Sequence, residues 1–478
     1  MSITKDLRGL VPALVDTYLE GPVDPVRIPR RDASGRLLIG GLSANELADR
    51  FGTPLHAIDE DRLRENARGF RDAFTRVWPA TEVYYSYKTN SVGAVIETLH
   101  EEGFGAEIVS PYEGWLAEKL GVPGKRVVVN GPGKVDSFIE RVVRQGVRLY
   151  NIDSFSEIHR VARVASAAGV TVPVGIRLRP PVGWSGQFGF DDDHVLEAVR
   201  QIASYPSLEL TGLHAHVGTN IRESESHRRL VRFLALQAER ILAAHGIAIS
   251  LLDIGGGYGV NGVRPVGALD ILRLWFSEGA RVPRRMRTVP LSETAGEIAK
   301  ELEQVFQRSR LPKPTLLLEP GRAVTSESHT LLVRVLDIKQ RSSGHTYVIT
   351  DAGAMGYCMS LRWEWHELIH AGRNDAERKE YDVVGPLCTP SDALGRSIRL
   401  PPVQPGDVLA LRDTGAYFPG LESNFAFPRS ALAMAASGNA RLVRRRETFE
   451  DMSARDDLVQ GAADVRNDNM QRAPMPYA

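Results

Sequence analysis

Tyr84-Tyr85-Ser86-Tyr87-Lys88-Thr89-Asn90 is a run of strand-forming aromatic residues that stops at a lysine. Aromatic side chains suit a half-buried strand. A lysine at the tip of such a strand is costly unless it is charged and paired, or used covalently. Taken alone, it reads most simply as a solvated cap. What lies downstream changes that reading. From about residue 82 to 320, apolar runs alternate with amphipathic segments of helix length. The predicted strands are 83–88, 105–109, 126–130, 147–151, 172–178, 209–214, 250–254 and 315–319, and the predicted helices include 134–146, 154–168 and 223–245. Eight strands alternating with helices predict an α/β fold built on a (β/α)8 barrel of the TIM type. Active sites of such barrels lie at the C-terminal ends of the strands. Chemically useful residues fall at those ends: Lys88 after the first strand, Arg177 in the fifth, and His214 and His216 after the sixth. Gly255-Gly256-Gly257 follows the seventh, and Glu319 and Arg322 follow the eighth.

The chain has 478 residues, enough for two domains and a sizeable core. Its 59 basic and 59 acidic residues cancel, which argues against a broad nucleic-acid footprint. No apolar run is long enough to span a bilayer, and no signal peptide opens the chain. Cys358 and Cys388 are too few for a disulfide framework, so a cytoplasmic protein is expected.

Residues 1–55 are read as an N-terminal segment that joins a second domain, with Ser43 placed to cap a helix starting at Ala44. The barrel is assigned to 56–322. Residues 261–300 interrupt its pattern with Pro, Gly and the crowded Arg281, Arg284, Arg285 and Arg287, and read as a solvated insertion at the barrel end. From about 330 the period changes. Leu331–Ile338, Thr346–Thr350, Val408–Leu411 and Leu442–Val443 alternate like antiparallel strands, which predicts a C-terminal antiparallel β-domain over 323–448. The tail, 449–478, lacks sustained apolar periodicity and reads as mobile.

The residues at the strand ends suit one chemistry. Decarboxylation of an amino acid leaves negative charge on Cα, and pyridoxal 5′-phosphate can take up that charge while tied to a lysine as a Schiff base. A carboxylate beside the pyridine nitrogen keeps that nitrogen protonated. Glu319, after the apolar Leu316-Leu317-Leu318, is placed for this. The cofactor's phosphate needs close backbone N–H groups, which glycine permits. Asp253-Ile254-Gly255-Gly256-Gly257 meets that need, with Arg322 as counter-charge. His216 can lie flat against the ring. His214 and His216 also form a rival metal pair, but no third ligand stands at a recognisable spacing, and no metal site is expected.

Together these motifs resemble the fold-type III pyridoxal-phosphate-dependent decarboxylases, the family of diaminopimelate, ornithine and arginine decarboxylases. Gly52-Thr53-Pro54-Leu55, the Lys88 motif, His214–Thr219, the glycine triplet, Glu319–Arg322, Gly385-Pro386-Leu387-Cys388 with Asp392, and Gly415-Ala416-Tyr417 stand in family order from about 36 to 440. The resemblance implies a barrel plus a β-domain like that of alanine racemase and ornithine decarboxylase. It also implies a head-to-tail homodimer with shared sites. It makes Lys88 the Schiff-base lysine, His216 the ring-stacking residue and Glu319 the partner of the pyridine nitrogen. Gly256, Gly257, Gly321, Arg322 and Tyr417 would hold the phosphate, with Thr219 in the same cofactor-binding set. Arg177 would lie near the ring hydroxyl. Glu107 stands where many members carry aspartate. Cys388 would reach the partner subunit's site and control protonation of Cα, and Asp392 would lie at the substrate.

Two departures bear on the substrate. Diaminopimelate and ornithine decarboxylases usually place an acid after the family cysteine, to bind the substrate's far amine. Here that position is Thr389. Loss of a charge-assisted hydrogen bond is worth on the order of 1.5–3 kcal/mol. In place of a motif resembling Arg-Pro-Ala-x-Tyr, the chain has Cys358-Met359-Ser360-Leu361-Arg362-Trp363-Glu364-Trp365, where Arg362 is the available anchor for a substrate carboxylate. The expected activity is decarboxylation at the α-carboxylate of an amino acid. A modified or conjugated substrate of a siderophore or other natural-product pathway, free or carrier-bound, fits best. Diaminopimelate decarboxylase is the alternative, and an amino-acid racemase or an inactive binding homologue are alternatives of another class.

Overall fold

The computed structural model describes residues 29–183, 186–266, 288–374 and 377–456. Residues 1–28, most of the 261–300 insertion with its four arginines, and the tail beyond 456 lie outside the described residues. The described chain opens with a small hairpin, β1 (Leu38–Ile39) and β2 (Leu42–Ser43). Ser43 then caps helix α1 (Ala44–Phe51), its Oγ accepting the Glu46 N–H at 3.2 Å. Strand β3 (Leu55–Asp59) follows, and Asp59 caps helix α2 (Glu60–Thr75) by accepting the Arg62 N–H at 2.9 Å.

The barrel is closed by eight parallel strands: β4 (Thr81–Ser86), β5 (Gly105–Ile108), β6 (Val127–Val129), β7 (Leu149–Ile152), β8 (Val172–Arg177), β9 (Leu208–His214), β10 (Leu251–Asp253) and β12 (Thr315–Leu318). Helices between them cover the outside, so most strand residues are buried on both faces, which is why the strands read as near-continuous apolar runs. Tyr84, Val128, Leu149, Leu251 and Leu317 form a small cluster of their own, one residue from each of five strands. A larger cluster joins the strands to their helices. All eight predicted strands are present. The first ends two residues earlier than expected. Tyr87–Thr89 forms a single 3-10 turn, which buries Tyr87 and Thr89 and turns Lys88 outward. Lys88 is therefore on a turn and not on the strand.

The second domain is a mixed sheet organised around β13 (His329–Gln340). This strand pairs antiparallel with β3, with β14 (Thr346–Thr350) and with β19 (Val408–Arg412). The domain is antiparallel as expected apart from two parallel pairings. One joins β14 to β17 (Lys379–Val384), and the other joins β3 to β20 (Ala431–Ala436). β3 enters from before the barrel and β20 from near the end of the described chain, so the connection between them is long enough for parallel pairing. The remaining strands include β18 (Ala393–Leu400) against β17, β16 (Leu368–His370) against β19, and β21 (Asn439–Arg444) against β20. β3 also corrects the boundary placed after residue 55. The sheet takes Leu55 through Asp59, because this strand is covered on both sides. At the other end, Phe449–Ser453 is helical, closed by a reciprocal capping box between Thr448 and Asp451, so the start of the expected mobile tail is ordered.

The two domains meet beside Lys88. Asn90 lies 3.0 Å from His329 Nε2 and donates to the Gly415 carbonyl at 3.1 Å. The Tyr417 N–H donates to the Thr89 carbonyl at 2.7 Å. A two-residue clip, β11 (Arg264–Pro265) against β15 (Glu364–Trp365), joins the segment after the seventh barrel strand to the second domain.

Candidate active site

The turn after β4 carries Lys88 into an open recess. Its side chain keeps 48% of its surface while standing among buried carboxyl groups. Lys88 Nζ donates to Glu107 Oε2 and to Ser86 Oγ, each at 2.7 Å. Ser86 Oγ donates to the same Glu107 oxygen at 2.6 Å. Burial disfavours the ammonium, but the Glu107 and Glu319 charges outweigh it and hold the Lys88 amine protonated well above its ordinary range. Burial works against Glu107 as well. There Lys88 wins, and the carboxyl is held below the usual carboxylate range.

Asn130 carries the network onward. Its Nδ2 donates to Glu107 Oε1 at 3.0 Å and to Glu319 Oε1 at 2.6 Å. Asn151 donates to Asn130 Oδ1 at 2.9 Å. Glu319, just past β12, is buried, and burial followed by the charges of Asp253 and Glu107 pushes its carboxyl well above the usual range. Asp253, the last residue of β10, is buried with it and pushed up to about 7, chiefly by desolvation. The facing side-chain atoms of His214, Asp253 and Glu319 lie within 4.8 Å of one another.

The glycine triplet forms the next wall. A Cβ on Gly256 would stand 2.2 Å from the Glu319 carbonyl oxygen, and one on Gly257, at φ +90°, would stand 2.3 Å from the Gly218 carbonyl. Only glycine lets these backbones approach. Among the described residues, none accepts the N–H of Gly257 or Gly321. Thr219 follows Gly218 on the facing loop. The Gly256 N–H donates to His216 Nδ1 at 3.3 Å, and burial pushes the His216 imidazole down to about 3, so the ring is neutral. His214 and His216 therefore part. His214 faces the carboxyl pair and His216 the glycine loop.

The structure gives Arg322 an unexpected partner. Its two terminal nitrogens both donate to Glu364, one of them at 3.1 Å. The pair is buried, and the guanidinium carbon lies 5.3 Å from the Tyr417 ring centroid. Glu364 also lies 3.5 Å from His366 Nε2. Burial would raise the Glu364 carboxyl, but His366 and Arg322 hold it below its ordinary range. Arg177 lies 3.7 Å from Asp153 and stacks over Phe188.

Of the residues expected from the second domain, Tyr417 lies beside Lys88, its N–H donating to the Thr89 carbonyl, whereas Cys388, Thr389, Arg362 and Asp392 make their contacts elsewhere. Cys388 is exposed. Thr389 shares a 2.9 Å hydrogen bond with Ser391. Arg362 is exposed, with its guanidinium 2.9 Å from Met355 Sδ. Asp392, expected at the substrate, is buried and accepts the N–H groups of Met355 at 2.8 Å and Leu387 at 3.1 Å. It organises the turn before Cys388. Asn130, Asn151, Asp253 and Glu364 escaped sequence reasoning as site residues. The first three had a usable signal, being polar residues at the ends of apolar barrel strands. Glu364 had none, because its partner lies 42 residues away.

Comparison with known proteins places this geometry in context. The family model described as "Pyridoxal-dependent decarboxylase, pyridoxal binding domain" matches residues 60–326. The diaminopimelate decarboxylase of Methanothermobacter thermautotrophicus is 32% identical over 432 residues, covering 87% of this chain and 95% of that protein. The diaminopimelate decarboxylase of Actinosynnema pretiosum subsp. auranticum is 32% identical, covering 88% of this chain and 93% of that protein. Among solved structures, the diaminopimelate decarboxylase of Methanocaldococcus jannaschii in complex with L-lysine superposes with a TM-score of 0.81 at 27% identity, covering 90% of this chain and 98% of that one.

Proposed function

Because the chain belongs to the pyridoxal-dependent decarboxylases, we propose that it releases carbon dioxide from the α-carboxyl group of a diaminopimelate-type amino acid. Its cofactor is pyridoxal 5′-phosphate. The carrying observation is the hydrogen-bonded run Lys88–Glu107–Asn130–Glu319 across the barrel mouth. The residues present fit the cofactor. Lys88 supplies an amine, Gly257 and Gly321 carry N–H groups with no acceptor among the described residues, and Glu319 is a buried carboxyl whose charge a protonated ring nitrogen would offset. Lys88 would hold the aldehyde end, Gly257, Gly321 and Tyr417 the phosphate, and Glu319 the ring nitrogen. When bound, the cofactor supplies the electron sink that lets the Cα–carboxyl bond break.

The chain's own residues prepare that step. Glu107 keeps the Lys88 amine in place and takes or returns its proton across 2.7 Å. Asn130 orients Glu319 with one amide hydrogen and Glu107 with the other. His216, neutral and held by the Gly256 N–H, offers a ring face without adding a cation that would compete with Lys88. Cys388, on an exposed turn, would serve the partner subunit's site in a homodimer. Trp363, Leu421 and Phe425 leave large apolar surface exposed on neighbouring segments, which supports a covered face there. With both thiols free, the reading places the enzyme in the cytoplasm.

The diaminopimelate assignment rests on the relatives' names, and three of the related structures hold L-lysine. A second reading, a substrate with a capped or conjugated far end, is favoured by Thr389, which stands where an acid would bind a far amine. The test is carbon dioxide release from meso-diaminopimelate, L-lysine, L-ornithine and N-acylated or citrate-conjugated diamino acids. A kcat/KM above ~10⁴ M⁻¹s⁻¹ on meso-diaminopimelate, ordinary enzyme efficiency, supports the first reading. Preference for a capped substrate by tenfold or more supports the second. No release from any of them overturns both.

A further inference from the structure

The glycine loop after β10 has its backbone hydrogen bonds almost complete. The Gly255 N–H donates to Asp253 Oδ1 at 2.9 Å, and the Gly255 carbonyl accepts the Glu319 N–H at 2.9 Å. The Gly256 N–H donates to His216 Nδ1 at 3.3 Å, and the Gly257 carbonyl accepts the Ile221 N–H at 2.8 Å. The Gly256 carbonyl lies 3.1 Å from Nε2 of His227. Of the triplet's N–H and C=O groups, only the Gly257 N–H lacks a partner among the described residues. Backbone groups in folded chains are nearly always paired. A single open N–H in a loop pinned at every other group is a donor free for a ligand.

His227 belongs to the helix Glu225–His245, which covers the barrel between β9 and β10, and its side chain is buried. A carbonyl oxygen can only accept, so Nε2 carries the hydrogen of this contact. Nδ1 is buried without a partner, which suits a bare ring nitrogen better than a second N–H. Burial also pushes the imidazole below its ordinary range. The ring is therefore the neutral Nε2–H tautomer. It stacks face to face on Tyr258, with centroids 4.6 Å apart and planes 6° from parallel. Tyr258 in turn packs edge-on against Phe70 and Phe74, with centroids 5.1 and 5.5 Å away. One side chain thus holds the residue before Gly257 by its carbonyl and the residue after it by its ring. The Gly256–Gly257 peptide is trans, so its C=O and N–H point in opposite directions. With the carbonyl turned to His227, the Gly257 N–H is turned away from that ring, to the side where no described residue meets it.

We propose that His227 is the positioning residue of the phosphate cradle: its Nε2–H holds the Gly256 carbonyl and so fixes the peptide whose Gly257 N–H donates to the cofactor's phosphate. This rests on the reading of Gly257 as a phosphate donor. A peptide between two glycines turns over easily. Turned over, it would present the Gly256 carbonyl oxygen to the phosphate and repel it. Fixing the peptide before the cofactor arrives removes its ordering from the cost of binding. A neutral ring does this by its hydrogen bond and not by its charge.

The test titrates full-length protein, stripped of cofactor, with pyridoxine 5′-phosphate and with pyridoxine in a calorimeter. Neither carries an aldehyde for Lys88, so the ratio of the two dissociation constants reads the phosphate contacts alone. Wild type is expected to bind the phosphorylated compound more tightly by ~hundredfold or more, as several charge-assisted hydrogen bonds would give. His227→Phe keeps an aromatic ring on Tyr258 and loses the donor. It is expected to reduce the ratio by about tenfold or more, the fold-change of one charge-assisted hydrogen bond. His227→Gln, whose amide N–H still donates, is expected to stay within about threefold of the wild-type ratio. An unchanged ratio in His227→Phe overturns the role of His227 and leaves the cradle standing. A His227→Gln ratio as low as that of His227→Phe overturns the hydrogen bond as its cause. A wild type that binds both compounds equally overturns the phosphate reading of Gly257 itself. If His227→Phe does not fold, ¹⁵N NMR of the His227 imidazole in wild type provides the second measurement. Hydrogen on Nε2 and none on Nδ1 at neutral pH supports the proposal, and hydrogen on Nδ1 overturns it.

Discussion

Glu319 shows how much one residue depends on neighbours that a sequence does not align for the eye. Its position after a buried strand was legible, because three leucines precede it. Asn130, which holds it, sits 189 residues earlier in the chain and is an ordinary polar residue until the barrel closes. The carboxyl matters most as charge develops during bond breaking, so Glu319→Gln is expected to lower kcat by ~2–4 kcal/mol equivalent, with cofactor affinity nearly unchanged. Steady-state kinetics beside a cofactor titration checks this, and a fall in kcat below about threefold contradicts it. His329 carries a different dependence. Its Nδ1 lies 3.1 Å from the Thr325 carbonyl and its Nε2 3.0 Å from the Asn90 amide, a pattern that only the neutral ring satisfies. Burial, helped by His56, pushes its imidazole down to about 3, against about 6.5 in an unfolded chain. A lowered folded value means that the ring favours folding fully above pH ~6.5 and that this contribution is lost as pH falls towards 3. Unfolding measured between pH 6.5 and 4 should lose stability with a slope that His329→Gln reduces by about 1.4 kcal/mol per pH unit. An unchanged slope would show that His329 is protonated in the folded protein.

At the scale of elements, alternation of apolar runs located all eight barrel strands, because parallel strands covered on both faces leave an unbroken apolar signature. The turn at Tyr87–Thr89 was not legible, since aromatics that suit a strand also suit the buried side of a turn. Nor was the clip between β11 and β15, two residues on each side and distant in the chain, which brings Glu364 to Arg322. Hydrophobic periodicity has no purchase on so short a pairing. The buried Arg322–Glu364 pair makes a strong expectation. Removing one partner strands a buried charge, so Glu364→Gln should cost about 3–5 kcal/mol, while Arg322→Met with Glu364→Met should cost less than either single change. Denaturant unfolding of the three variants decides it, and a single variant as stable as wild type contradicts the buried pair.

At the scale of the molecule, the barrel and the β-domain were legible as a change of period near residue 330, whereas the sharing of β3 and β20 between chain ends was not, because pairing of remote strands leaves no local pattern. One chain brings Lys88, Glu107, Asn130, Glu319 and the glycine loop together, yet leaves Cys388 exposed on the second domain. In a homodimer with shared sites, mixing Lys88→Ala with Cys388→Ala chains is expected to restore activity, since a heterodimer has one site carrying both lesions and one carrying neither. Up to about a quarter of all sites should then work. No recovery, with subunit exchange verified, places Cys388 outside the partner's site. The central claim is that Lys88 holds the cofactor, and borohydride reduction of the loaded enzyme followed by peptide mapping tests it most directly. The expected result is pyridoxyl phosphate fixed to the peptide containing Lys88 and its loss in Lys88→Ala; a label on any other residue, or none at saturating pyridoxal phosphate, would contradict the claim.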